Sequence, residues 1–255
     1  MFGRCLALLL ILAVPTVASA AAPRTFEEAK KVGRKLYARQ SVEFYCGCRY
    51  NGTKVDLKSC GYTPRKNANR ASRIEWEHIV PAWVIGHQRQ CWQSGGRKNC
   101  SRNDRVYQKA EADLHNLVPS IGEVNGDRAN YSFGWLQQKP SQYGACPMVV
   151  DFKARKAMPR PQIRGMIART YFYMSDRYGL KLSNQDRQLF TAWSKQYPVE
   201  AWERQRNQMV GCVMGWAIPT SARSRTIAVR RRKWPGAEAW RQPQIPAVDS
   251  DGRPP

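Results

Sequence analysis

The stretch RIEWEHIVPAW, Arg73 to Trp83, sets a polar pair inside an apolar run. The chain has three histidines, and one of them, His78, directly follows Glu77 and lies three residues after Glu75. Ile74, Trp76, Ile79, Val80 and Trp83 surround the pair with large and β-branched side chains, which suit a half-buried extended backbone. The pattern predicts a short strand ending near His78, because Pro81 has no N–H to give to a central ladder. A core strand has little use for Glu-His. An active site has several, since a neutral imidazole with a pKa near ~6.5 accepts a proton at neutral pH and a carboxylate can hold a cation.

The flanking segments read as a mixed chain. TFEEAKKVGRKLYARQ (25–40) predicts a helix whose Thr25 and Glu28 fit a capping box. Residues 41–62 are rich in Gly and Cys, with a β-type run VEFYC (42–46) and a turn at NGTK (51–54). GHQRQCWQSGGRKNC (86–100) predicts a polar, basic loop bounded by cysteines. YQKAEADLHNLVPS (107–120) predicts a helix stopped before Pro119, and IGEVNGDRANYSF (121–133) contains a turn at NGD. In RPQIRGMIARTYFYMSDRYG (160–179), Ile163, Met166, Ile167, Thr170, Tyr171 and Met174 recur at helical spacing, with Gly179 placed to end the helix. That stripe is a core face rather than a cofactor box. SNQDRQLFTAWSKQYP (183–198) predicts another helix, capped by Ser183 or Asn184 and closed before Pro198. No internal repeat is visible.

Composition sets the wider frame. The 255 residues are 42% apolar, enough for a sizeable core, and carry a formal charge of +23. A field of that size attracts polyanions, whether nucleic acid, an anionic membrane surface or an acidic polysaccharide. Residues 1–20 read as a secretory signal: Arg4, the apolar run CLALLLILAVPTV and the small-residue cleavage pattern ASA. No other apolar run is long enough to cross a bilayer. From residue 218 onward the chain holds eight Lys or Arg against three Asp or Glu and lacks apolar periodicity, so a basic, disordered or divergent tail (218–255) is expected. Residues 21–217 still hold +17.

Cysteine use agrees with export. Of eight cysteines, Cys5 leaves with the signal and seven remain. An oxidising compartment predicts at most three bridges and one thiol left over, with connectivity open. Zinc on Cys46, Cys48 and Cys60 is the rival, but C-x-C…C lacks the paired spacing of zinc modules.

Three polar clusters lack a core explanation: Glu75, Glu77 and His78; Arg97 in GGRKN; and Glu111, His115, Asn116, Glu123, Asn125 and Asp127 in EADLHNLVPSIGEVNGDR. Phosphodiester hydrolysis needs such parts. A base takes a proton from water, a hard cation on oxygen ligands neutralises growing charge, and an arginine fork holds a non-bridging oxygen.

The segments NRASRIEWEHIVPAWVIGHQRQCW, GGRKNC and DLHNLVPSIGEVNGDRANYSF resemble the bacterial endonuclease I family, from roughly Arg24 to Glu203. The resemblance implies an exported, sugar-nonspecific nuclease with a ββα-metal (His-Me finger) site in a helix-rich α+β domain with a small sheet, stapled by disulfides. It implies that His78 is the general base, that Glu77 and Asn125 hold a single Mg²⁺, that Arg97 binds the scissile phosphate, and that Glu111 assists protonation of the leaving group. Mn²⁺ can substitute, because oxygen ligands discriminate poorly between the two. The implied partners are DNA and RNA, held through the phosphate backbone by a monomer in the periplasm or outside the cell. Glu77 and His78 are adjacent, so a bend near Pro81 or the start of a helix is expected to bring them together.

The other polar residues read more plainly. His115 and Asn116 are expected to be structural and His87 a surface or packing residue. Glu75 pairs with an arginine or touches metal, and Asp127 supports the metal or a turn. Lys66, Arg70, Arg73, Arg89, Lys98 and Arg128 are candidates for phosphate contacts. The family normally closes with G-N-x-N-P-[FY], where this chain has MGWAIPTSARSR from Met214, so a divergent or frame-shifted terminus is expected. The alternative function is a basic nucleic-acid-binding protein without chemistry.

Overall fold

The computed structural model describes residues 22–219 and the backbone of 227–228. The expected signal (1–20) and most of the expected tail lie outside the described residues. Helix α1 (Phe26–Tyr37) begins where Thr25 Oγ1 accepts the Glu28 N–H at 3.2 Å, while the Glu28 carboxylate takes the Arg24 N–H rather than that of Thr25. The hairpin β1 (Arg49–Asn51) and β2 (Lys54–Asp56) turns at NGTK as expected. Next come α2 (Ala68–Ala71), β3 (Ile74–His78), α3 (Ala82–Gly86), α4 (Gln90–Gln93), α5 (Gly96–Asn103) and α6 (Arg105–Glu111). Strand β4 (Leu117–Ile121) then pairs antiparallel with β3, and α7 (Gly122–Arg128) follows directly. Together β3, β4 and α7 make the ββα unit.

A third sheet has the order β5 (Ser132–Phe133), β7 (Lys156–Met158), β6 (Val149–Asp151), with β5 and β7 parallel. Helices α8 (Pro161–Tyr178), α9 (Asn184–Gln196) and α10 (Ala201–Met214) complete the body, and β8 (Trp216–Ala217) pairs with β9 (Ile227–Ala228). Helix α8 is the central element. Its stripe Ile163, Met166, Ile167, Tyr171 and Met174 is buried, and Gly179 ends it in the left-handed region at φ 69. A buried ion pair, Arg169 Nε to Glu203 Oε1 at 2.7 Å, ties α8 to α10. Among the described residues, no helix is long and apolar enough to cross a membrane.

Three bridges form: Cys46–Cys146, Cys48–Cys60 and Cys91–Cys100, with Cys212 free. These pairings consume all three cysteines of the zinc alternative. Among the described residues no three His, Cys, Asp or Glu side chains group as a metal cage.

The structure corrects several local readings. Residues 86–100 are not a loop but hold α3's end, α4 and most of α5, pinned by the Cys91–Cys100 bridge. The junction at Gly96, φ 63, lets two short helices meet at an angle that composition does not reveal. Pro119 does not stop a helix but lies in β4 opposite Trp76, and a two-stranded sheet leaves an edge that does not need its N–H. NGD is not a turn but part of α7. Glycine at 126 fits because a Cβ there would lie 2.1 Å from Arg70 Nη1, so the helix can press against that guanidinium. VEFYC is not a strand, since the buried Glu43 carboxylate takes the N–H groups of Tyr45, Cys46 and Cys48 and folds the run into a turn. Burial pushes that carboxyl up in pKa, against the pull of those N–H groups. Ile218, the first residue of the expected tail, is held by the Asn207 amide in both directions, at 2.7 and 2.8 Å.

Candidate active site

His78 is the last residue of β3 and is buried. Its Nε2 lies 2.8 Å from the backbone carbonyl oxygen of Glu111, the last residue of α6. A carbonyl only accepts, so Nε2 carries the proton and Nδ1 keeps the lone pair. Burial pushes the imidazole down to about 4, reinforced by the Arg97 and Arg128 guanidiniums and opposed by the Glu111 carbonyl and carboxylate. At neutral pH the ring is therefore neutral and able to take a proton. The Phe26 ring packs against it, with centroids 4.8 Å apart, and the Arg97 guanidinium lies 5.3 Å from the centre of Phe26.

The side chain of Glu111 collects three donors. Arg97 Nε donates to Oε1 at 2.7 Å, Ser101 Oγ to Oε2 at 2.8 Å and Tyr107 Oη to Oε1 at 3.3 Å. Arg97 remains 47% exposed and uses only Nε in this pair, so its terminal nitrogens face outward. They open on a cleft of about 480 Å³ whose walls include Arg24, Phe26, Lys98 and Gln108. Arg97 thus comes from α5, Glu111 from α6 and His78 from β3, and the structure brings these three together.

Glu77 leaves the strand on the other face. Its Oε1 accepts from Tyr45 Oη at 2.6 Å and from Arg128 Nη1 at 3.0 Å, and none of these partners is shared with the His78 ring. Burial pushes the Glu77 carboxyl up, against the pull of Arg128 and Tyr45. The expected bend does not unite Glu77 with His78. Both residues lie in the straight ladder, opposite Val118 and Leu117, and the chain turns only afterwards. Extended backbone sends consecutive side chains to opposite faces.

Asn125 sits on α7, against the same face of β3 as Glu75 and Glu77. Its Nδ2 donates to Glu75 Oε2 at 3.1 Å. Glu75 also pairs with Arg70 and with Arg73, the latter at 3.0 Å. Burial raises its pKa, but these partners outweigh it and hold the carboxyl below its usual range. Glu75 therefore pairs with arginines, one of its two expected roles. Glu77 Oε2 and Asn125 Oδ1 take no part in the side-chain hydrogen bonds of Glu77 and Asn125 just described. One belongs to strand β3 and the other to helix α7.

The remaining expectations sort by burial. Asp127 faces away from β3, where Arg65 Nε and Nη2 grip it at 2.9 and 2.7 Å and Tyr143 donates at 2.9 Å. Asn116 is structural, since its amide pairs both ways with the Val80 backbone at 2.7 and 3.0 Å and fixes the turn after His78. His115 is fully buried and donates from Nε2 to the Trp216 carbonyl at 2.9 Å. His87 stacks on Trp83 at 4.0 Å. Arg128 is not a phosphate contact, because it is fully buried and donates to Glu77 and to the carbonyls of His78 and Ile79. Arg70, Arg73 and Arg89 are engaged in ion pairs, while Lys98 lines the cleft beside Arg97.

Sequence reasoning missed Tyr45 and the structural use of Arg128. Neither has a local signal, since their contacts with Glu77 span 32 and 51 residues. Cys46 was the one pointer, because its bridge to Cys146 anchors the turn that presents Tyr45.

Residues 23–220 match the family described as Endonuclease I. The chain is 53% identical to an extracellular deoxyribonuclease of Aeromonas hydrophila, over 86% of this chain and 97% of that protein. It is also 53% identical to a periplasmic deoxyribonuclease of the same species, over 84% of this chain and 92% of the other. An extracellular endonuclease of Pseudomonas fluorescens biotype A is 52% identical, over 78% and 86% respectively.

Proposed function

The chain belongs to the endonuclease I family, and from that premise we propose that it is an exported, divalent-metal-dependent endonuclease acting on DNA, and on RNA, with little sequence preference. Its relatives' names and the signal-like residues 1–20 support a periplasmic or extracellular place of action. The +23 charge supports a substrate held by its phosphates, since backbone contacts carry affinity without reading bases.

The observation that carries the mechanism is the bond between His78 Nε2 and the Glu111 carbonyl. It leaves Nδ1 as the base. His78 Nδ1 takes a proton from the water that attacks phosphorus, in line with the leaving 3′-oxygen, and leaves 5′-phosphate ends. The outward nitrogens of Arg97 hold a non-bridging oxygen, and the Glu111 carboxylate fixes their direction. In this reading the Glu111 carboxylate also orients the water whose proton goes to the leaving oxygen.

Glu77 Oε2 and Asn125 Oδ1 would hold the cation. Two protein oxygens suit Mg²⁺, which keeps several waters, and Mn²⁺ can substitute. When bound, the cation neutralises charge that grows on the phosphoryl and leaving oxygens. Arg128 and Tyr45 occupy Glu77 Oε1 and so leave Oε2 for the cation.

A plasmid-relaxation assay tests this reading. With Mg²⁺ the chain should convert supercoiled plasmid to nicked and then linear forms, and EDTA should stop it. Retarded but uncut plasmid in Mg²⁺ would favour a non-catalytic binding protein instead.

A further inference from the structure

The turn between β6 and β7, Phe-Lys-Ala-Arg-Lys from 152 to 156, puts three cations in five residues. It also builds an alternating stack. The Arg155 guanidinium lies 5.3 Å from the centre of the Tyr131 ring. Tyr131 meets Phe152 edge to face, with centroids 6.4 Å apart. The Arg65 guanidinium lies 4.5 Å from the centre of Phe152. Phe152 nonetheless stays 39% exposed, one of few large apolar side chains on this surface.

Two features argue that the stack is built rather than incidental. Arg155 holds a left-handed backbone, φ 53, which a non-glycine residue adopts at a steric cost. The stack is also bolted to α7, the helix that carries Asn125. Arg65 grips Asp127 of that helix through two nitrogens at 2.9 and 2.7 Å, and Arg155 Nη2 donates to Asn130, two residues past its end, at 3.3 Å. Asp127 balances Arg65 and Asp151 keeps its own charge, so Lys153, Arg155 and Lys156 are what leave this surface positive.

We infer that Phe152, backed by Tyr131 and flanked by Arg65 and Arg155, is a stacking platform for one unpaired base of the nucleic-acid strand. Aromatic faces between guanidiniums hold bases of any identity, while the cations track the phosphates. Helix α7, which carries Asn125, ends at Arg128, and Tyr131 follows three residues later, so the platform adjoins the end of that helix. The platform gives the protein a preference for strands with unstacked bases next to the cut. It rests on the proposed nuclease reading but is tested by binding alone.

The test uses the full mature chain in EDTA, with a fluorescein-labelled twelve-nucleotide single strand and the corresponding blunt duplex, read by anisotropy. Phe152→Ala should weaken single-strand binding roughly ten-fold and duplex binding less than about two-fold. Phe152→Trp should restore the single-strand affinity. Phe152→Ala should leave the salt dependence of single-strand binding unchanged, whereas Arg155→Gln should reduce its slope by about 0.7. Unchanged single-strand affinity in Phe152→Ala, or an equal loss on both probes, would overturn the platform. A wild-type chain that binds both probes yet never cuts plasmid in Mg²⁺ would sink the nuclease reading and leave this comparison intact.

Discussion

Glu111 holds the candidate base and the candidate phosphate clamp at once. Its carbonyl oxygen lies 2.8 Å from His78 Nε2, and its carboxylate takes Arg97 Nε at 2.7 Å. The two jobs use different atoms, so substitution separates them. Glu111→Ala keeps the carbonyl and frees Arg97. Cleavage of plasmid by this variant should fall roughly 10- to 100-fold, with KM for DNA raised. The loss should stay smaller than that of a missing base, for which ~10²–10⁴-fold is usual. A loss in Glu111→Ala as large as that in His78→Ala would mean that the side chain, not the carbonyl, governs the base.

The partnership of Glu77 with Arg128 separates metal binding from stability. Arg128 is fully buried beside the carboxylate, so Arg128→Met strands a buried charge. It should lower the unfolding free energy in urea by roughly 3–5 kcal/mol. Glu77→Gln keeps the shape and loses the charge. It should raise the Mg²⁺ concentration for half-maximal cleavage at least tenfold, on the order of what ligand-shell changes do. Combining the two substitutions should recover part of the lost stability.

Helix α7 approaches Arg70 only because position 126 is bare. A Cβ there would fall 2.1 Å from Arg70 Nη1, and one at Gly122 would fall 2.7 Å from the Arg70 carbonyl. Gly126→Ala should therefore push the helix or the arginine aside, at about 1–3 kcal/mol of stability. Because Asn125 is the neighbouring residue, the same variant should need more Mg²⁺. Calorimetry and a metal titration read the two effects.

Acid should loosen the fold through His115. Burial pushes this imidazole down to about 4, opposed by Asp113, so the folded state binds fewer protons than the unfolded state between pH 6.5 and 4. Stability is fully present above ~6.5, falls as pH drops toward 4 and levels off below, for a total of about 3 kcal/mol from this group. In His115→Gln an amide can still donate to the Trp216 carbonyl. Its urea midpoint should depend less on pH across that window than the wild-type midpoint. Parallel curves would show that His115 is not the group responsible.

Local signals carried part of the fold. The caps and periodicity of α1, α8 and α9, and the strand ending at His78, involve neighbours within a few residues, and each formed as the pattern predicts. Elements decided by distant contacts were not legible. The helices around Arg97 depend on the Cys91–Cys100 bridge, α7 depends on a glycine meeting Arg70, and Pro119 sits in a strand because that strand is an edge. The site divides in the same way. Glu-His was visible as an anomaly, but its division across two faces of β3 was not, and neither were Tyr45 and Arg128 beneath Glu77.

The central claim is that His78 is the base, and its most direct measurement joins chemistry to binding in one variant. His78→Ala should cut supercoiled plasmid at least ~10²-fold more slowly than wild type in Mg²⁺. In EDTA the same protein should bind a labelled duplex with near wild-type affinity, because the imidazole is buried and uncharged. Nicking by His78→Ala at the wild-type rate, with binding intact, would contradict the account.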